Sequence, residues 1–195
     1  MNAGRSDEDL MTATAREARR SGRAARGRVA VALVGTSLVL AYATLAVVQI
    51  LVLNPLAAAP GRTLSQVHRD LEAADQSLSP VFAVGIPALG VVLALALGVF
   101  GMRSRTSVFT LALGYLALLI AGTPAYFVAS FGAGMSLADT YFIGGADHSP
   151  WSWPLHATSA AATVLLALVG AGRLLQLKLR APRAGDHTPS TPSPR

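Results

Sequence analysis

Cysteine is absent from this sequence, which excludes disulfides, thiolate metal sites and cysteine redox chemistry. Charge is scarce. Asp, Glu, Lys and Arg make up 13% of 195 residues, against about 25% in an ordinary soluble domain. The shortage is concentrated in four runs, Val29–Leu53, Val81–Met102, Ser107–Phe131 and Trp153–Leu175, which lack all four residue types except Arg173 near the end of the last. No charge lies in the middle of a run, which argues against ion-coupled transporters, proton pumps and voltage sensors, since those bind or move ions through intramembrane charge. Catalytic patterns are also missing. There is no nucleophile–base set, no phosphate-cradling loop and no HExxH or HxxxH spacing.

What is present is hydrophobicity in blocks, 52% of the chain. Each block exceeds the roughly 20 residues needed to cross a bilayer. Backbone groups in lipid must pair with one another, so such blocks are helices. The expected fold class is therefore all-α: a polytopic membrane protein, built as a four-transmembrane-helix up-down bundle. Residues 1–28 form a basic tail, 29–177 the membrane domain and 178–195 a disordered tail rich in proline and small polar residues. The first run is too long for the 7–15-residue core of a secretory signal, so it is expected to stay uncleaved.

The basic residues give an orientation. Seven precede the first run (Arg5, Arg16, Arg19, Arg20, Arg23, Arg26, Arg28), and Arg103 and Arg105 lie between the second and third. Five more fall at the C-terminal end (Arg173, Lys178, Arg180, Arg183, Arg195), leaving only Arg62 and Arg69 in the other two connectors. The positive-inside rule then puts both termini in the cytoplasm and loops 54–80 and 132–152 outside, in a plasma membrane. This asymmetry accounts for the net charge of +6. Nucleic acid is not an expected partner, because the basic tail has no interleaved aromatics and no binding motif.

The first outer loop carries its own helix signal. Thr63 and Gln66 have capping-box spacing, and Leu64, Val67, Leu71, Ala74 and Leu78 recur at steps of three and four. A short amphipathic helix over 64–78 is expected, followed by Ser79 as a cap and Pro80 in the next first turn. Gly85, Pro87 and Gly90 predict a kink in the second run. Helix packing is expected along Gly90, Ala94 and Gly98, and along Ala117, Ala121, Ala125, Ala129 and Ala133, because small residues let helices approach closely in lipid.

Near the fourth run, Pro150 and Pro154 suit a helix start. Trp151 and Trp153 suit an interfacial anchor, with Asp147 and His148 solvated beside it. Polar and small residues share helix faces in three places: Gly35, Tyr42 and Gln49; Tyr115, Gly122 and Tyr126; and His156, Ser159 and Thr163, continued by Ala167 and Gly170. Gln49, Tyr126 and His156 each fall within about two turns, roughly 10 Å, of the outer boundary. They are expected to converge there.

Two functions follow. One is a non-enzymatic accessory, scaffold or assembly protein whose partners are the lipid bilayer and either a second copy or another membrane protein. The other is a binding or transport protein for a small ligand or metal, with an outward cavity lined by Gln49, Tyr126 and His156. His68 and Glu72 share a helical face but match a surface pair better than a metal site. No cofactor is expected, since haem between helices wants two buried histidines and only His156 qualifies.

Overall fold

The computed structural model describes residues 3–180 and is entirely helical there, with no strand among the described residues. The tail from 181 onward, expected to be disordered, lies outside them. Helix α1 (Ala3–Val48) passes through one π-helical turn (Gln49–Leu53) into α2 (Asn54–Ala58). Then come α3 (Leu64–Ala73), α4 (Pro80–Arg103), α5 (Val108–Ile120) and α6 (Gly122–Tyr141), the last two separated only by Ala121. A 3-10 turn at Pro150–Ser152 leads into α7 (Trp153–Arg180). Four stretches are long and apolar enough to cross a membrane: Ser21–Ala58, Pro80–Arg103, Val108–Tyr141 and Pro150–Gln176.

Each apolar run therefore falls within one of these four stretches, save Ser107 at the edge of the third, but the helices overrun the runs. Residues 3–28, read as a tail, are already helical, and α6 takes in the first ten residues of the expected loop 132–152. Asp139 thus sits on a helix, exposed near its end. Hydropathy stops where polar side chains begin, whereas backbone hydrogen bonding continues until a breaker intervenes. The π turn has a local cause. Pro55 opens α2, and its ring would collide with the carbonyl four residues back in a regular α-helix, so the ladder widens before it.

Helix α3 begins as the capping box requires. Gln66 N donates to Thr63 Oγ1 at 3.3 Å, and Thr63 N donates to Gln66 Oε1 at 2.7 Å. Val67 and Leu71 are buried. The helix ends at Ala73, five residues short of Leu78, because Asp75 turns left-handed with φ of 55°. Ala74 is exposed, while Leu78 is buried from the segment that follows. Asp70 ties α3 to α6 by accepting from the Tyr141 hydroxyl at 3.0 Å, and it pairs with Arg62 at 3.6 Å. Pro80 stands in the first turn of α4 as expected, but Ser79 is left-handed and its side chain caps nothing.

Apolar packing falls into two clusters. One, at the α3 end, includes Ile50, Val67, Leu71, Ala83, Tyr126, Leu137 and Leu155. The other includes Ala32, Val39, Ala94, Leu111, Tyr115, Leu119 and Ala162. Tyr115 is the central wedge of the second. Its ring lies on Gly35, and its hydroxyl bonds the Ala94 carbonyl at 3.0 Å and Thr36 Oγ1 at 2.9 Å. Ala94 and Gly98 are buried on this seam, as their spacing predicts. Gly90 departs from the expectation. No atom would touch a Cβ placed there, and it lines an apolar cavity of about 160 Å³ beside Val39, Ala46, Pro87 and Ala125.

In the α5–α6 alanine row, Ala129 and Ala133 are buried but Ala117 and Ala121 are exposed. A four-residue step advances about 40° beyond a full turn, so the row winds off the seam. The same drift affects α7. Leu155, Ser159 and Ala162 are buried, while Thr163, Ala167 and Gly170 turn outward. Helix α7 packs chiefly on α5, and the Arg173 guanidinium lies 4.1 Å above the Phe109 ring, a cation–π contact that keeps this charge against an aromatic face.

Candidate binding site

At the α3 end of the bundle, three polar features come together from α1, α6 and the start of α7. Tyr126 and His156 meet edge to face, with ring centroids 5.7 Å apart. Gln49 is fully buried and neighbours the Tyr126 hydroxyl. The expected convergence is therefore present, although neither Gln49 nor Tyr126 bonds His156. The His156 ring nitrogen Nδ1 instead sits 3.5 Å from Thr123 Oγ1.

Several hydrogen bonds of the site run to the 145–149 segment. Tyr126 donates its hydroxyl to Asp147 Oδ1 at 2.7 Å. The Asn54 side-chain oxygen Oδ1 accepts from His148 N at 2.7 Å and from Ser149 N at 3.3 Å. Gln49 Nε2 donates to the Ser149 carbonyl at 3.4 Å. Asp147 and His148 are exposed, as expected, and are in addition tethered through a side chain and a backbone amide respectively. His148 Nε2 also lies 2.9 Å from the Gly144 carbonyl. The tether matters because an irregular segment cannot satisfy its own amides and needs acceptors from its surroundings.

A second polar strand descends into the bundle. Ser159 Oγ donates to the Leu119 carbonyl at 2.7 Å and accepts from Thr123 N at 3.1 Å. These two bonds bridge the break between α5 and α6, where Pro124 and the turn at Ala121 free backbone groups. Tyr42 packs its ring on Gly122. Its hydroxyl and Gln49 Oε1 are the buried side-chain polar atoms without a hydrogen-bond partner among the described residues. The π turn coincides with Gln49, and such turns occur disproportionately at functional positions.

Comparisons with protein-family models, curated proteins and solved structures find no match for this chain. Its chemistry rests on the geometry alone. No group of three or more His, Asp or Glu residues placed to hold a metal is present among the described residues. His68 and Glu72 are both exposed, with His68 Nδ1 at 2.8 Å from the Leu64 carbonyl of its own helix.

A pocket of about 160 Å³ opens beside Tyr126 and His156, lined also by Asn54, Phe131, Gly145 and Asp147 among others, but not by Gln49, which is fully buried. Sequence reasoning missed Asn54, Thr123 and Asp147. Asn54-Pro55 reads as a turn at the end of an apolar run, and Thr123-Pro124 as an interruption. Only the fold shows that both lie against the same segment. Trp151 and Trp153 flank the site with 56% and 70% of their surface exposed, and Phe142 beyond α6 is 94% exposed. These three rings form an aromatic fringe at one end of the bundle.

Proposed function

We propose that the chain is a non-enzymatic integral protein of the plasma membrane, spanning it four times in up-down order with both termini in the cytoplasm, and that it works as an assembly partner for a second membrane-embedded chain. Support for insertion comes from the four apolar helices and from the aromatic fringe, since indole rings favour the headgroup layer. The orientation rests on the excess of Arg and Lys at the opposite end.

The observation that carries the assembly role is the uncovered face of α7. Ala160, Thr163, Ala167 and Gly170 lie on one side of that helix, all exposed, and a Cβ at Gly170 would meet nothing within 4 Å. Exposed Val164, Leu168 and Leu174 border this stripe, whereas the exposed face of α4 presents Phe82, Leu89, Val92, Leu95 and Phe100. Large residues suit lipid contact, whereas a small-residue stripe lets another helix approach closely.

The absence of cysteine provides a clean background for testing both parts. Single cysteines at Ser65, in α3, and at Ser104, between α4 and α5, are expected to differ sharply in intact cells. An impermeant maleimide should label Ser65→Cys and leave Ser104→Cys untouched until the membrane is opened. Under oxidation or a short bismaleimide, Ala167→Cys should cross-link strongly to a copy of itself or to a partner of distinct mass, and Leu95→Cys weakly. Equal labelling of the two loops would defeat the orientation. Equal cross-linking of the two faces would defeat the assembly role.

A further inference from the structure

We propose that the pocket between α6, the 145–147 segment and the start of α7 binds a small organic ammonium group. Its volume, about 160 Å³, is about five times a water molecule's share of the liquid, enough for a compact amine. No Lys or Arg lines it, and its one formal charge is the Asp147 carboxylate. That carboxylate is held in place by the Tyr126 hydroxyl on Oδ1 and has no further partner among the described residues. Three aromatic side chains, Tyr126, Phe127 and Phe131, line the same pocket, the two phenyl rings 5.8 Å apart.

Other ligand classes fit less well. A metal would find only Asp147 and His156 as charged or imidazole ligands, fewer than the three protein ligands of an ordinary catalytic zinc site. An anion would meet the carboxylate. A wholly apolar molecule would take water from the exposed Asp147 carboxylate and offer it no partner in return. An ammonium group matches both features, since its positive charge faces Asp147 and its methyl or methylene groups lie against aromatic surface, which attracts cations through the ring quadrupole. Phe127 and Phe131 are more than half exposed and carry the pocket wall out to the flank of the bundle. The ammonium can therefore arrive as a free amine or as the headgroup of a lipid. Only the lipid route depends on the bilayer placement proposed above.

The test uses the full chain and has two arms. In detergent without added lipid, choline chloride is titrated against sodium chloride at equal ionic strength, with calorimetry and thermal unfolding as readouts. In nanodiscs, retention of phosphatidylethanolamine over phosphatidylglycerol is read by native mass spectrometry. Choline-specific binding marks a free-amine site. Selective phosphatidylethanolamine retention without a choline response marks a lipid site. Either supports the proposal if Asp147→Asn weakens it about tenfold, the loss expected from removing roughly 1.4 kcal/mol of attraction.

Asp147→Asn keeps an oxygen for the Tyr126 hydroxyl, so the fold should survive. Should it not, Phe131→Leu is the second variant, with about threefold weaker binding expected from loss of a partly exposed cation–π contact. No preference in either arm, or a preference that neither variant alters, would overturn the assignment. The α7 cross-linking is read separately, so failure here leaves the assembly proposal standing.

Discussion

Gly35→Ala is expected to lower the thermal unfolding midpoint of the detergent-purified protein, whereas Gly85→Ala is expected to leave it unchanged or raise it. Both glycines are inside helices, where alanine is intrinsically better by about 1 kcal/mol. At Gly85 nothing lies within 4 Å of the new methyl group. At Gly35 the same methyl would stand 2.3 Å from Tyr115 Cγ. The ring cannot simply retreat, because Thr36 and the Ala94 carbonyl hold its hydroxyl at 2.9 and 3.0 Å. Helices α1 and α5 must then separate, at an overpacking cost of about 1–3 kcal/mol. The helix-propensity gain is smaller, so the net sign is destabilising. If Gly35→Ala and Gly85→Ala unfold at the same temperature, Tyr115 is not the wedge described here.

Asn54→Ala should act at a distance along the chain. Its side-chain oxygen Oδ1 is the acceptor for two backbone amides, those of His148 and Ser149, and Asn54 is 5% exposed. Alanine leaves both amides without that partner, and an unsatisfied buried donor costs about 1–3 kcal/mol. Amide hydrogen exchange at His148 and Ser149 is expected to speed up by about tenfold or more, since 1.4 kcal/mol corresponds to a factor of ten. Exchange in α4 should be unaffected. The released segment carries Asp147, so the carboxylate of the ammonium pocket would lose its fixed position as well. Unchanged protection at the two amides would show that another group holds the segment.

Much of the architecture was legible in the sequence because its causes are local or periodic. Four uncharged runs mark four helices. Thr63 and Gln66 sit at capping-box spacing, and the box forms. Tyr126 and His156 share a depth, and their rings touch. What was hidden depends on partners that the sequence places far away. Asp147 and His148 read as solvated and are exposed, but the bonds that also tether them, from the Tyr126 hydroxyl and to Asn54, come only from the return of the chain. Gly90 has the spacing of a packing residue, yet α4 meets its neighbour at Ala94 and Gly98 and leaves Gly90 at a cavity. Helices α1 and α6 extend past the apolar runs for one reason. Hydropathy registers which side chains suit lipid, while a helix ends only where backbone pairing fails.

The π turn at Gln49–Leu53 has a geometric consequence of its own. In a regular α-helix, side chains five positions apart are separated by about 140° around the axis. One extra residue in the turn takes up about 100° of that, so Gln49 and Asn54 address the same side and both reach the 145–149 segment. The turn behaves as a built-in insertion that resets the angular phase of the chain. Deleting one residue between Leu51 and Leu53 would restore the ordinary pitch and leave the hydropathy profile almost untouched. Asn54 would nevertheless swing away from His148, so the length of this stretch, and not only its composition, determines which residues meet.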